Sequence, residues 1–150
     1  MEFNRLTASF YSDYGSSCPE ILKKQTRPYY VAVVCVLGLT FAIPLRSHIH
    51  HSKYSFIANG AEAGLDFTKA VVITDKVRYV EPSPTTIRQN EFNMLKQHEY
   101  EIVHKFEKFV LAYIKQVRRI QENPRIPLAP WFQYSCLQYF HKELGLPFER

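Results

Sequence analysis

A short polar segment between residues 46 and 53 contains the residue types needed to cut RNA. Its candidate side chains are Arg46, Ser47, His48, His50, His51 and Lys53. Attack by the neighbouring 2′-hydroxyl requires a base for the hydroxyl proton, an acid for the 5′-oxygen and cations for the phosphorane charge. Histidine titrates near neutrality and can fill either proton-transfer role, while arginine matches the geometry of a phosphate. By spacing alone, RNA cleavage and a solvated loop that happens to contain histidines are both open.

The same histidines could instead bind zinc, since three imidazoles lie close together in the chain. No cysteine or acidic side chain lies within the segment, and the remaining histidines could join a site only through the fold. These are His98, His104 and His141. We therefore expect no metal and no cofactor, with a small histidine-site metalloprotein as an alternative.

An apolar, uncharged run from Tyr29 to Leu45 leads into the polar segment. Its length is at the lower limit for a membrane span, but its β-branched and aromatic residues and the central Gly38 favour two strands. We predict strands over 29–36 and 39–43 joined by a tight turn at Leu37-Gly38. Pro44 has no N–H, so we expect the ladder to end there.

The predicted hairpin would place the start of its first strand beside the end of its second. Arg27 would then lie near Arg46 and Ser47, with Tyr29 and Tyr30 next to it. Without that geometry, Arg27 would be an ordinary surface arginine beside core tyrosines.

The remaining pattern predicts an α+β fold. Further strands are expected over Phe3–Leu6, Tyr54–Ile57, Phe67–Thr74 and Val77–Val80, with a turn around Asn59, Gly60 and Gly64. Helices are expected over Thr7–Tyr14, Glu20–Gln25 (a single turn), Asn90–Asn123 with a break near residues 97–99, and Trp131–Leu144. Short strands at close spacing favour a small, curved antiparallel barrel, with the long helices packed outside it.

Two further patterns could belong to an RNA surface but have simpler explanations. The basic residues of the long helix lie mostly off its apolar face, as on any solvated helix. The aromatic residues of the last predicted helix have the spacing of buried core residues rather than that of a base-stacking platform. They are Trp131, Phe132, Tyr134, Tyr139 and Phe140.

Composition is compatible with a nucleic-acid partner. The 150 residues suit one domain over 1–150, and a net charge of +5 favours a polyanionic partner. The three cysteines are odd in number and lack CxxC spacing, which favours a reducing cytosol. The N-terminal residues lack a signal-peptide pattern. A non-catalytic RNA-binding module has the same composition and stays open as an alternative.

Four ordered blocks of the sequence carry a family resemblance. They are RPYYVAVVCVLGLTFAIPLRSHIHH, GLDFTKAVVI, IRQNEF and QYSCLQYF, and they extend over most of the chain. Together they resemble the toxins of type III toxin–antitoxin systems, most closely the TenpN branch, with ToxN, AbiQ and CptN as more distant relatives. The resemblance implies a metal-independent endoribonuclease on an SH3-like barrel similar to MazF and Kid. It also implies a pseudoknotted repeat RNA as antitoxin, bound in a closed protein–RNA assembly, and a cytoplasmic protein without a membrane partner.

The resemblance also assigns roles to particular residues. The Pro-Leu-x-Ser pattern of the family places the catalytic serine at Ser47. Arg27 corresponds to a basic residue before the first long strand, which is lysine in ToxN. Ile49 stands where ToxN has a second lysine, so another cation must replace it. His51 is our first candidate and Lys53 our second. Which group serves as acid and which as base stays open.

Overall fold

The predicted hairpin forms the centre of an antiparallel sheet in the computed structural model. The structure describes residues 1–22, 30–47, 49, 51, 53–58, 64–82, 87 and 89–147. Its strands are β1 (Glu2–Arg5), β2 (Tyr30–Val36), β3 (Leu39–Arg46), β4 (Ser55–Ile57), β5 (Gly64–Asp66) and β6 (Val71–Val72). They are ordered β1-β2-β3-β5-β4, and β6 pairs separately with β3. The end of β3 is therefore flanked by the start of β2 and by β5.

The turn between β2 and β3 is the predicted two-residue turn. Leu37 and Gly38 have φ angles of 54° and 75°, the left-handed region that both central residues of a type I′ turn require. Val36 pairs with Leu39 and, at the open end, Tyr30 pairs with Leu45. The hairpin geometry that would bring Arg27 towards Arg46 is confirmed at Tyr30, although Arg27 itself lies outside the described residues.

The prediction that Pro44 ends the ladder is wrong, because β3 continues to Arg46. The alternation set by the two-residue turn puts the pair of Pro44 and Val31 in a non-hydrogen-bonded position. On the other side, β6 pairs with Phe41 and Ala42, and β5 pairs only from Leu45 onwards. Pro44 thus faces the gap between these two strands, where no ladder bond is lost.

Two predicted strands are replaced by other structure because aspartates cap helical turns there. The segment predicted as a strand over Phe67–Thr74 begins instead with a 3₁₀ turn at Phe67–Lys69, capped by Asp66, and only β6 is extended. In place of the predicted strand over Val77–Val80 there is a short helix over Lys76–Tyr79, capped by Asp75. Gly64, expected in a turn, belongs to β5. Side-chain acceptors at the caps outweigh the β propensity of these valines and phenylalanines.

The helices are α1 (Ala8–Tyr14), α2 (Lys76–Tyr79), α3 (Gln89–Gln97), α4 (Glu99–Glu122) and α5 (Pro130–Gln133). The break between α3 and α4 and the presence of α1 confirm the predictions, and Thr7 is the N-cap of α1. The turn predicted over Glu20–Gln25 extends into residues outside the described range. The prediction of one helix over Trp131–Leu144 is wrong, since α5 ends at Gln133 and a 3₁₀ turn follows at Cys136–Tyr139. Ser135 is extended there and its hydroxyl caps the second turn.

The long helix α4 packs its predicted apolar face against the sheet. Phe106 is fully buried, with ring centroids 5.1 Å from Phe41 of β3 and 5.4 Å from Phe67. Phe92 of α3 is 37% exposed. At the other end of the sheet, Lys105 donates a hydrogen bond to the carbonyl of Ser55 at 2.7 Å. Helix α4 thereby holds β4 in place, next to the polar segment.

The fold is therefore α+β, with a six-stranded antiparallel sheet and several helices. Within the described ranges no pairing joins β1 to β4, so the sheet is not closed into a barrel. None of the helices found among those residues is both long and apolar enough to cross a membrane. The uncharged run that raised this question is the β2–β3 hairpin.

Candidate active site

The buried carboxylate of Asp66 joins two of the predicted site residues. Its side chain is 2% exposed. Nη1 of Arg46 donates to Oδ2 of Asp66 at 3.0 Å, and Nε2 of His51 lies 3.3 Å from Oδ1. An arginine and a histidine of the polar segment thus both contact one carboxylate. Burial of that anion requires such partners, since an unpaired buried carboxylate is costly.

Asp66 is held in position by its own cap. It is the last residue of β5, and its Oδ1 accepts from the backbone N–H of Thr68 at 3.1 Å and from the Thr68 hydroxyl at 2.6 Å. Because these donors fix one oxygen and Arg46 binds the other, the carboxylate cannot rotate without losing bonds. The site therefore has a rigid anionic centre.

Strand register brings Asp66 to Arg46. In the sheet Arg46 pairs with Gly64, and Asp66 pairs with Ser55 of β4. A Cβ at position 64 would lie 2.0 Å from the carbonyl oxygen of Phe56, so only glycine allows β4 and β5 to approach this closely. The glycine is thus part of how the site is built.

His51 is held by its backbone and by an aromatic wall. The hydroxyl of Ser55 donates to the carbonyl of His51 at 2.7 Å, and the imidazole centroid is 5.1 Å from the ring of Trp131. Its side chain is 15% exposed, and Nδ1 is buried with no hydrogen-bond partner among the residues the structure describes. One ring nitrogen therefore faces Asp66, and the other is buried.

These residues line an open cavity of about 300 Å³. The lining consists of Arg46, Ile49, His51, Asp66, Thr68, Lys69, Pro130, Trp131 and Tyr134. Lys69 adds a second cation at the wall, although its Nζ is bound to Glu20 at 2.8 Å and to the carbonyl of Tyr134 at 2.9 Å. The cavity combines cations, an imidazole and a carboxylate with an apolar wall.

The other predicted residues are placed in different ways. Ser47 is exposed at the bend directly after β3, and it is not among the cavity-lining residues. Tyr30 accepts a hydrogen bond from Arg5 at 3.0 Å, and the Arg5 guanidinium stacks on its ring. Lys53 is exposed with its Nζ 5.3 Å from the ring centre of Tyr54. The remaining predicted site residues, Arg27, Tyr29, His48 and His50, lie outside the described residues.

Sequence reasoning missed Asp66, Thr68, Lys69 and Trp131 as site residues. The pattern predicts a buried strand that starts at Phe67, whereas Asp66 followed two residues later by Thr68 is a local capping pattern. That capping pattern predicts a turn at Asp66, but it does not predict which residues of other segments lie beside Asp66. The approach of Asp66 to Arg46 depends on the β3–β5 pairing, which has no local signature.

The arrangement can bind a phosphate and transfer protons. A guanidinium has five N–H donors, so Arg46 can contact an anion while it also binds Asp66. His51 provides a titratable ring within the same cavity. Among the described residues, no cluster of three or more His, Cys, Asp or Glu side chains could hold a metal ion. His48 and His50 of the zinc alternative are outside that set.

The fold and the site thus define an α+β protein with a cationic, histidine-containing cavity at one end of its sheet. Comparison with protein-family models, with curated proteins and with solved structures finds no match for this chain.

Proposed function

We propose that this protein is a metal-independent endoribonuclease, with its active site in the cavity at the end of β3. The observation that carries the proposal is the convergence of Arg46 and His51 on the buried Asp66. A phosphate-binding cation and a proton-transfer group are the two components that transesterification of RNA requires. Both line a cavity open to solvent.

In the proposed reaction the 2′-oxygen attacks the adjacent phosphorus, and the bond from phosphorus to the 5′-oxygen breaks. The 2′-hydroxyl proton passes to a base, and an acid donates a proton to the departing 5′-oxygen. The products are a 2′,3′-cyclic phosphate and a 5′-hydroxyl. No oxidant or further reactant is needed.

The residues divide these tasks. Arg46 holds the phosphoryl oxygens, together with Arg27, and His51 acts as acid or base. Asp66 touches neither substrate nor scissile bond and positions Arg46 and His51. Ser47 donates to a phosphoryl oxygen or relays a proton from its exposed place beside Arg46. His48, His50, Lys53, Tyr29 and Tyr30 would contact the RNA on either side.

The biological role we propose is that of the toxin in a type III toxin–antitoxin system of the TenpN branch. It is supported by the four ordered sequence blocks. The first block contains Arg46 and His51 in its PLRSHIHH part, and the second contains Asp66 in its GLDFTK part. On this proposal the sheet is an incomplete SH3-like barrel of the MazF and Kid kind. A repeated pseudoknot RNA would inhibit the cytoplasmic enzyme in a closed assembly, and the system would act in phage defence by abortive infection.

The direct test is incubation of purified protein with cellular RNA in the presence of EDTA. We expect cleavage that leaves 2′,3′-cyclic phosphate and 5′-hydroxyl ends, mapped by end-specific ligation. His51→Ala should reduce the rate by about 100-fold or more, as expected when a proton-transfer group is lost. The matched control is His104→Ala, which removes an exposed histidine of α4 stacked on Tyr100. Its rate should equal that of the wild type.

A substrate with sulfur in place of the 5′-oxygen decides the role of His51. A thiolate leaves without protonation, so His51→Ala should recover activity on this substrate if His51 is the acid and not if it is the base. Intact RNA after incubation with the wild type, or full cleavage by the variant carrying both Ser47→Ala and His51→Ala, contradicts the proposal. Retention of intact RNA with a steep salt dependence would instead identify an RNA-binding module.

A further inference from the structure

Two aromatic rings line the cavity beside the proposed cleavage site and are exposed. Trp131 is 38% exposed and Tyr134 is 54% exposed. The helical spacing of this segment predicted core positions for both. That prediction holds for Phe132 and Phe140, which are buried, and is wrong for Trp131 and Tyr134. Exposed rings on a cavity wall are surfaces on which a planar ligand can stack.

The chain holds these two rings in place by local structure. Helix α5 begins with Pro130 in its first turn and buries Phe132 against Tyr113, at a centroid distance of 5.6 Å. Trp131, the preceding residue, is on the side of the cavity. The carbonyl of Tyr134 accepts from Nζ of Lys69 at 2.9 Å, which ties the end of α5 to the turn that follows β5. The aromatic wall is therefore pre-positioned relative to Asp66.

Trp131 continues an aromatic surface that starts at the catalytic histidine proposed above. Its ring is 5.1 Å from the His51 imidazole, inclined by 58°, and 6.1 Å from Tyr54 in an edge-on arrangement. Arg46 and Lys69 line the same cavity. A ligand that carries both a planar ring and a phosphate matches this combination of an aromatic wall and cations.

We propose that Trp131 and Tyr134 form a subsite that stacks one unpaired nucleobase of single-stranded RNA, next to the phosphate held by Arg46. The inference rests on the proposed function, which identifies the ligand as RNA. It adds that the bound RNA is single-stranded. The cavity volume of about 300 Å³ lies within the size range of small-ligand sites. A base already paired and stacked in a duplex cannot present its face to Trp131, so the subsite selects single strands.

Trp131 is the only tryptophan of the chain, so its fluorescence reports on this subsite alone. The probes are hexanucleotides of A, C, G or U with 2′-O-methyl groups, which lack the attacking hydroxyl and cannot be cleaved. We expect quenching by at least one of the four single strands. An abasic chain of the same length and a duplex of the same sequence should leave the fluorescence unchanged.

Affinity is measured in parallel with end-labelled probes by anisotropy, so that variants lacking tryptophan can be compared. Trp131→Ala should weaken binding of the preferred hexamer about 5- to 100-fold, the range seen when one stacked base loses its platform. Trp131→Phe should restore most of that loss, because a ring is kept. The matched control is Tyr100→Ala, which removes an aromatic ring that is 85% exposed on α4 and should not alter affinity.

Equal affinity of Trp131→Ala and wild type, or quenching by the abasic chain as strong as by any hexamer, overturns the subsite. Because the probes cannot be cleaved, this result is independent of catalysis. Cleavage of natural RNA without hexamer-dependent quenching would contradict the subsite but leave the proposed function standing. Quenching without cleavage of natural RNA would support the subsite and contradict the nuclease.

Discussion

Nε2 of His51 lies 3.3 Å from Oδ1 of Asp66, and the same carboxylate binds Arg46 through its other oxygen at 3.0 Å. His51 comes from the segment after β3, whereas Asp66 ends β5. The carboxylate is also fixed by Thr68, so Arg46 and His51 share one rigid anchor.

Replacement of Asp66 by asparagine should impair the site more than the fold. The new side chain would keep an acceptor for Thr68 but turn an amide donor towards Arg46 or His51, leaving donors unpaired at a cost of about 1–3 kcal/mol in the free energy of unfolding. We expect RNA cleavage to fall about 100-fold, the lower end of the range for loss of a group that takes part in proton transfer. Urea unfolding and initial cleavage rates measure the two effects separately.

The control for this substitution is Asp13→Asn. Asp13 is a second paired carboxylate, bound to Arg78 and Tyr79 away from the cavity, and hydrogen bonds from both keep the pKa of Asp13 below its usual value. Its loss should leave the cleavage rate unchanged. Equal loss of activity in both variants would mean that Asp66 has no special relation to the site.

Substitution of Gly64 by alanine should separate β4 from β5. The added Cβ would lie 2.0 Å from the carbonyl oxygen of Phe56, so the strands must shift, at a cost of about 1–3 kcal/mol or more. Cleavage should fall as well, because Asp66 is two residues away on the same strand. Gly145→Ala is the control. A Cβ at position 145 would meet open space, but the φ of +71° disfavours alanine. Gly145→Ala should therefore lower the free energy of unfolding without loss of activity in the native protein.

A stabilising change is predicted at the central turn. Leu37 is 46% exposed and has a φ of 54°, a conformation that costs a branched residue about 1–2 kcal/mol. Leu37→Asn creates the Asn-Gly pair favoured in type I′ turns and should raise the free energy of unfolding by about 1 kcal/mol. Leu111→Asn, at a similarly exposed position within α4, should lower it by about 0.5 kcal/mol. A Leu37→Asn variant no more stable than wild type would contradict the turn geometry.

The cysteines should differ sharply in reactivity. Cys35 is exposed, whereas Cys18 and Cys136 are buried. Burial raises the pKa of the Cys136 thiol to about 12, so below that pH it stays protonated and unreactive. A thiol reagent at mildly alkaline pH should titrate one of the three cysteines in the native protein and all three in urea. Cys35→Ser should remove the native reaction, and rapid labelling that persists in this variant would show that the buried thiols are accessible.

The sequence by itself determined the elements whose signals are local. β-Branched and aromatic residues divided by Gly38 predicted the β2–β3 hairpin, and a change to helical spacing predicted α3, α4 and their break. These signals are local because each depends on residues that are only a few positions apart in the sequence. They placed Arg46 just beyond the end of a predicted strand, whereas His51 was preferred only on the family resemblance.

Only the tertiary structure decided which residues surround these two. Asp66 reaches Arg46 through the β3–β5 register, and Trp131 reaches His51 through the packing of Phe132 against α4. Propensity assigned both regions wrongly, because capping by Asp66 and Ser135 interrupts segments whose composition suits a strand and a helix. Contacts between distant segments are set by packing and register, and neither leaves a pattern within a single stretch of sequence.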